Sequence, residues 1–319
     1  TCSFCSVGCS LHLETYGDML LKCNPDKNGP VNKGLLCGKG KWGFDCASLE
    51  GKLTNPLIKG EDGFREANYH EALVLTAKKA ESIAAKYGKD AVAVAISDRF
   101  TNEEAYVMKK LADTMGARTL CFNNVESGVE KVLGLDASPN TIDELLSTNV
   151  IVAFGFVMEN NPVIQLKLKQ AAENGAKVYV INPEGYAVNN FDFATKVVYV
   201  ENDVKAVKEM AKALIEIGKV SSVDNFEEFK ASLDGVCVSD EIKEIAGAYA
   251  NAKKAMLVFQ QNVVSVEAAT MIANIALLSG HIGAPRVGIL QIKAKNNSQG
   301  LIDMGIKAGA EAMDGVKAL

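Results

Sequence analysis

The sequence predicts an α/β protein in which a small β-rich, cysteine-rich module precedes parallel sheets covered by helices. Three observations predict it. Six of the eight cysteines fall before residue 55, in a stretch that is also rich in glycine. From residue 69 onward, short apolar runs of strand length alternate with amphipathic stretches of helix length, the pattern of parallel strands joined by crossover helices. Finally, 319 residues with 48% hydrophobic and 23% charged side chains suit a soluble globular protein of two or three domains.

Taken in chain order, Leu11–Leu13 and Met19–Leu21 are short apolar stretches of the first module, and Cys23 and Cys46 read as buried thiols. Asn55-Pro56-Leu57 breaks the chain and sets a domain boundary near residue 57. Apolar residues at helical spacing predict a helix over Tyr69–Tyr87. Ala91–Ile96 reads as a buried strand, followed by an amphipathic helix over Glu103–Met115 that Gly116 ends. Val150–Phe154, Lys177–Ile181, Lys196–Val200 and Ala255–Phe259 are further strands, with helices over Val163–Glu173 and Val204–Ile217 between them. The Ala/Lys-rich tail after Leu301 reads as a helix with a glycine-broken end. The expected divisions are 1–56, 57–117, 118–300 and 301–319.

Chemistry concentrates in the frame Cys2-x2-Cys5-x3-Cys9, with Cys37 following after 27 residues. Three thiolates in one tight loop can cap a face of a small inorganic cluster, and a fourth from a distant hairpin can close it. Gly8, beside the third cysteine, allows close backbone approach. Structural zinc also takes four thiolates, but usually from two separated Cys-x2-Cys pairs. The frame therefore favours an iron-sulfur cluster over zinc, and zinc over disulfides.

Net charge is −5 with a pI near 5.4, so nothing suggests a grip on nucleic acid or anionic membranes. The apolar runs are shorter than a bilayer-spanning helix and no signal peptide precedes the cysteines, so the expectation is a cytoplasmic protein without direct membrane insertion. Thr1 stands only one residue before the first cysteine, which suggests a piece of a longer chain.

In parallel sheets, ligands sit beyond the carboxyl ends of the strands, where loops and helix N-termini offer backbone N–H groups. Three loops fit. Gly155–Pro162 follows the strand ending at Phe154 and contains Asn160; Asn182-Pro183-Glu184-Gly185 follows the strand ending at Ile181; and Asn296-Asn297-Ser298-Gln299-Gly300 leads into Asp303-Met304-Gly305. Amide side chains suit a heterocyclic cofactor because each can donate and accept hydrogen bonds. Gly155, Asn160, Asn182, Asn296, Asn297, Gln299, Gly300 and Asp303 are the candidate cofactor-binding residues.

With the cysteine frame, Cys37-Gly38-Lys39-Gly40, Tyr69-His70-Glu71-Ala72-Leu73, Asn161-Pro162, Gly175-Ala176-Lys177 and Gly280–Pro285 make the chain resemble the molybdopterin oxidoreductase family. Formate dehydrogenase alpha subunits and the large iron-sulfur subunit of NADH dehydrogenase represent that family. The resemblance covers nearly the whole chain. It implies a 4Fe-4S domain followed by Rossmann-like parallel-sheet α/β domains, as in the formate dehydrogenase/DMSO reductase type, without the C-terminal β-barrel. It implies Cys2, Cys5, Cys9 and Cys37 as cluster ligands, and Lys39 as the lysine between cluster and pterin that helps electrons pass. It also implies a molybdenum or tungsten bis-molybdopterin guanine dinucleotide where the pterin site is retained.

Two departures bear on catalysis. Cys121 is the counterpart of the family's metal-ligating cysteine or selenocysteine, but Phe122 stands where a histidine should follow, and the segment before it is short. Asn182-Pro183-Glu184 replaces the family's Asp-Pro-Arg, and Glu184 would repel a phosphate. The expectation is an electron-carrying iron-sulfur subunit with a degenerate pterin site, working with other redox subunits of an NADH- or formate-linked complex. The alternatives are an active formate dehydrogenase-like fragment using Cys121, and a non-catalytic scaffold that docks redox subunits. His12, His70 and His281 read as structural, and no hydrolytic constellation is present.

Overall fold

The computed structural model describes residues 1–47, 51–121, 127–186 and 191–306. The first lobe is built on an antiparallel hairpin, β1 (Leu11–Tyr16) and β2 (Met19–Pro25), in which Leu13 faces Cys23. After it, a segment tied down by Asn32 leads to the short helix α1 (Gly38–Trp42). Asn32 is fully buried; its side chain accepts from Ser10 N at 2.9 Å and donates to the carbonyls of Ser10 and Leu35 at 3.0 and 2.7 Å. One amide thus joins the strand that follows Cys9 to the segment that delivers Cys37. Cys23 is buried as expected, but Cys46 is exposed, because the 3-10 turn that carries it lies on the surface. Cys37 comes from the start of α1 and not from a hairpin.

A second hairpin, β3 (Leu57–Gly60) with β4 (Gly63–Glu66), precedes α2 (Tyr69–Tyr87), whose N-terminus Asn68 caps by accepting from Glu71 N at 2.9 Å. Strand β5 (Ala93–Ala95), helix α3 (Asn102–Met115) and strand β6 (Arg118–Leu120) follow. Thr101 and Glu104 form a reciprocal capping box at the start of α3, and its C-terminal cap is Gly116, as the sequence indicates. β5 and β6 pair in parallel as a sheet of two strands. The expected buried strand is here corrected: Ala93 and Ala95 are exposed and only Ile96 beyond the strand is fully enclosed, since the sheet has two strands among the described residues and its packing comes from α3, around Ile96 and Ala105. All nineteen residues of α2 likewise escape burial.

The larger lobe runs α4 (Glu130–Leu133), β7 (Val150–Phe154), α5 (Pro162–Glu173), β8 (Lys177–Pro183), β9 (Lys196–Val200), α6 (Asp203–Ile217), α7 (Phe226–Ala231), α8 (Asp240–Asn251), β10 (Ala255–Gln260), α9 (Val266–Leu278), β11 (Gly288–Ile292) and α10 (Ser298–Asp303). Its five strands are all parallel, in the order β11-β10-β7-β8-β9. Alternate residues of each strand enter two separate cores. Val150, Val152, Tyr179, Leu257 and Phe259 pack with α6, α8 and α9, while Ile151, Ala153, Val178, Val180 and Met256 pack with α5. Cys2, Val7 and Cys9 join this second core, so the cysteine lobe sits on the α5 face of the sheet. Full burial of each such aliphatic side chain contributes about 1.5–3 kcal/mol. An ion network adds to the docking: Asp143 accepts from buried Lys167 at 3.1 Å and pairs with Lys33 of the cysteine lobe.

His281 is structural, as expected: it is buried edge-on against Tyr249 with ring centroids 4.7 Å apart, and its Nε2 donates to the Ala252 carbonyl at 3.0 Å. Burial holds its pKa below the ordinary value, outweighing the pull of that carbonyl in the other direction. The unfolded chain therefore takes up a proton near pH ~6.5 that the folded chain refuses. This histidine's contribution is intact above that pH and is lost as the pH falls below it. Urea midpoints measured across this range should drop on acidification, and His281→Gln should flatten that drop; an unchanged slope in the variant would contradict the assignment.

Candidate metal centre and adjoining clefts

Cys2, Cys5, Cys9 and Cys37 line one small cavity, together with Gly8 and Lys39. Their convergence follows from local structure. The Cys2 N–H donates to the Cys9 carbonyl at 2.8 Å and closes the first loop, Gly8 turns it with φ +68°, and Asn32 then carries the chain back toward Cys37. Gly40 explains the small residue after the lysine, because a Cβ there would lie 3.3 Å from Cys2 Sγ and 2.6 Å from Leu36 Cδ1.

The thiols perturb one another. Burial, then repulsion from Cys5, Cys2 and Cys37, pushes the Cys9 thiol up to about 12. Burial foremost raises Cys5, against hydrogen bonds from Val7 N–H and Asn161 that pull it down. Such a group holds protons until cations arrive to stabilise the thiolates. Among the described residues, no three Cys, His, Asp or Glu side chains converge closely enough for a single metal ion. Four sulfurs spread around one cavity fit a polynuclear cluster better than a tetrahedral zinc.

Lys39 stands at this cavity's edge, its Nζ donating to the Glu159 carbonyl at 2.8 Å, in the loop after β7. Asn160 also lines the cavity. Gln260, at the end of β10 and fully buried, holds that loop: its amide exchanges hydrogen bonds with Val157 N and O at 2.9 and 2.8 Å and donates to Asn161 Oδ1 at 3.1 Å. Asn161 in turn donates to Ser6 Oγ at 3.3 Å. Sequence reasoning missed Gln260 and Asn32, which belong to no motif; Asn161 carried one signal, as the residue before a proline that opens a helix.

The other expected cofactor-binding residues have varied surroundings. Gly155 takes φ +54° with Val264 Cγ2 only 2.6 Å from where a Cβ would lie. Both arms of the Asn182 amide are taken by the backbone of Phe156, at 2.7 Å each. Asn297 donates to Phe100 O at 2.8 Å and to Asn102 Oδ1 at 2.9 Å, and Gly300 has those two asparagines packed against it. Gln299 donates to Asp303 at 2.8 Å. Asn296, Gln299 and Asp303 line a cavity of about 460 Å³ between Ser6-Val7 of the cysteine loop and the end of β11. Cys121 lies apart, 2% exposed among Ile96, Ala105, Leu301 and Ile306. Phe122 and the tail beyond residue 306 lie outside the described residues.

A further cleft of about 550 Å³ opens at the carboxyl ends of β8, β9 and β10. Among its described lining residues are Glu201 and Asp203 and no Lys or Arg, and Glu184 is exposed next to Pro183. Asp203 is occupied, accepting from Val204 N at 2.8 Å and Ser265 N at 2.7 Å. Among the described residues, phosphates find no counter-charge in this cleft.

Residues 52–317 match the molybdopterin oxidoreductase family model, and residues 1–47 match the molybdopterin oxidoreductase Fe4S4 domain. The chain belongs to the molybdopterin oxidoreductase family. Its relatives in that family include the probable oxidoreductase YjgC of Bacillus subtilis, 28% identical over 95% of this chain and 34% of the relative. They also include the F420-dependent formate dehydrogenase subunit alpha of Methanocaldococcus jannaschii (28% identical, 95% of this chain, 49% of the relative) and formate dehydrogenase H of Escherichia coli (28%, 95% and 47%). The chain thus spans a third to a half of the length of these relatives. Acetylene hydratase from Pelobacter acetylenicus shares the fold, with a TM-score of 0.70 at 19% identity over 88% of this chain and 43% of that one. A family member with an Fe4S4 domain places a 4Fe-4S cluster among its cofactors, and the molybdopterin domain makes the pterin a family cofactor. No helix among the described residues is long and apolar enough to cross a membrane.

Proposed function

We propose that the chain is an iron-sulfur electron-transfer unit of the molybdopterin oxidoreductase family, in which Cys2, Cys5, Cys9 and Cys37 ligate the 4Fe-4S cluster. The observation that carries this reading is the convergence of those four thiols on one cavity. When bound, the cluster supplies one-electron transfer. The chain's own residues seat and insulate it: Val7, Leu36 and Phe4 pack around the cysteines on the α5 face of the sheet. Lys39 places a cation beside the cavity and ties it to the loop after β7, which suits an electron exit in that direction. The division at residue 57 separates the cluster module, 1–56, from the α/β remainder, whose parts are 57–117, 118–300 and 301–319.

The pterin site is degenerate in its phosphate grip. Glu184, Glu201 and Asp203 oppose phosphate, and Asn182 is spent on the Phe156 backbone. Cys121, enclosed by apolar side chains, fits a packing role better than metal ligation. Electrons would then pass to other redox subunits, as the names of the alpha-subunit relatives suggest for a multi-subunit assembly.

Metal analysis of anaerobically purified protein tests the reading. Iron and acid-labile sulfide in equal amounts, reversible bleaching by a low-potential reductant and no stoichiometric molybdenum or tungsten are expected, with Cys121→Ser indistinguishable from the parent. Stoichiometric molybdenum or tungsten with formate oxidation abolished by Cys121→Ser would replace it with the formate dehydrogenase reading. Zinc in place of iron would overturn both.

A further inference from the structure

A run of hydrogen bonds that starts on the backbone of the loop after β7 ends on one of the four sulfurs. Val157 anchors it: its N–H donates to Gln260 Oε1 at 2.9 Å, and its carbonyl accepts from Gln260 Nε2 at 2.8 Å. A backbone N–H only donates and a carbonyl only accepts, so this pair fixes which way the buried Gln260 amide is turned. The other Nε2 hydrogen goes to Asn161 Oδ1 at 3.1 Å, and Oε1 also takes the Asn160 amide at 3.3 Å. Both donors and both acceptor positions of Gln260 are thereby used.

With its oxygen held by Gln260, Asn161 points its nitrogen the other way, into the cysteine loop. There it donates to Ser6 Oγ at 3.3 Å and to the Cys5 sulfur, which also accepts from the Val7 N–H. Asn161 is 2% exposed and stands at the N-cap of α5, yet its side chain makes no capping bond. The side chain serves the cysteine loop in place of the helix.

An N–H donated to a cluster ligand stabilises the electron-rich reduced state more than the oxidised one, and so raises the reduction potential. We propose that Asn161 holds the cluster's potential up through its bond to Cys5, and that Gln260, from the end of β10, is the positioning residue that keeps this donor turned toward the sulfur. Without Gln260 the Asn161 amide is free to rotate, because the Ser6 hydroxyl can accept from its nitrogen or donate to its oxygen. The inference rests on Cys5 being a cluster ligand and deepens the relay reading by naming what sets the relay's potential.

The test is a redox titration of the cluster-loaded full chain, followed by the electron paramagnetic resonance of the reduced cluster. Asn161→Leu should lower the midpoint potential by about 59 mV, a tenfold shift in a one-electron equilibrium. Gln260→Met, close in shape to the parent, should lower it by a smaller amount, and should cause no further fall when added to Asn161→Leu. A general loosening of the loop would lack that dependence. An unchanged potential in either single variant, or a Gln260→Met shift that adds in full to that of Asn161→Leu, overturns the proposal. If Asn161→Leu does not retain its iron, wild type with nitrogen-15 in its asparagine side-chain amides takes its place. Pulsed resonance of the reduced cluster should then detect a nitrogen-15 coupling that persists in Asn160→Ala; no coupling, or one lost in Asn160→Ala, overturns the proposal. Failure of the ligand reading looks different: a chain that takes up zinc and no iron loses the ligand set and this inference with it, whereas an iron-loaded chain with an unshifted potential overturns this inference alone.

Discussion

Cys9→Ala should yield a colourless protein without its iron-sulfur absorption, with the first lobe unfolded at temperatures where the five-stranded sheet persists. Cys9 is 4% exposed and belongs both to the four-cysteine cavity and to the core under α5, so on the proposed ligand set its loss removes a ligand and loosens a packing contact at once. The ligand loss dominates. A site that forms only on folding converts its metal-binding energy into folding energy, on the order of 10 kcal/mol for structural metal sites. Removing a buried methyl-sized group costs only about 1 kcal/mol. Iron content and far-ultraviolet circular dichroism during a thermal ramp separate the two contributions. Retention of the full iron content by Cys9→Ala would remove this residue from the ligand set.

Asn182→Leu should destabilise the larger lobe by roughly 2–6 kcal/mol, since it leaves both the N–H and the C=O of Phe156 buried without partners at about 1–3 kcal/mol each. Phe156 is itself fully buried and packs edge-on against Phe191 at 6.4 Å, so water cannot readily compensate. Urea denaturation measures the loss. A change within 0.5 kcal/mol of zero, as for an ordinary surface position, would argue that Asn182 faces a ligand and not its neighbouring loop.

Much of this molecule is written in local pattern. Val150–Phe154 and Lys196–Val200 are strands at their expected bounds because each is a short run rich in β-branched and aromatic residues. Tyr69–Tyr87 is a helix at its expected bounds because Asn68 and Gly88 mark its ends. The four cysteines were legible from their spacing alone. Other elements of the larger lobe were not, among them α8, α9 and β11. α9 has eight buried residues distributed around its circumference, so no amphipathic period distinguishes it from a loop or a strand. α8 is short and polar on its outer side, and β11 follows a glycine-rich turn with a glutamine in its middle. Partners across the fold were beyond any local reading. Nothing in Asn182-Pro183-Glu184 indicates that the asparagine holds Phe156, and nothing near Gln291 indicates that Asp136, more than 150 positions earlier, accepts from its side-chain amide.

The bare surface of α2 affects how the whole chain responds to stress. Tyr69, Leu73 and Tyr87 are each about two-thirds exposed, and the following sheet, β5 with β6, has two strands among the described residues. Few apolar contacts oppose local opening there, whereas the central strands open only with the entire sheet. Denaturation should therefore proceed in stages, with backbone amides of this helix trading their hydrogens for deuterium long before those of β7 and β10. A single midpoint would describe neither process.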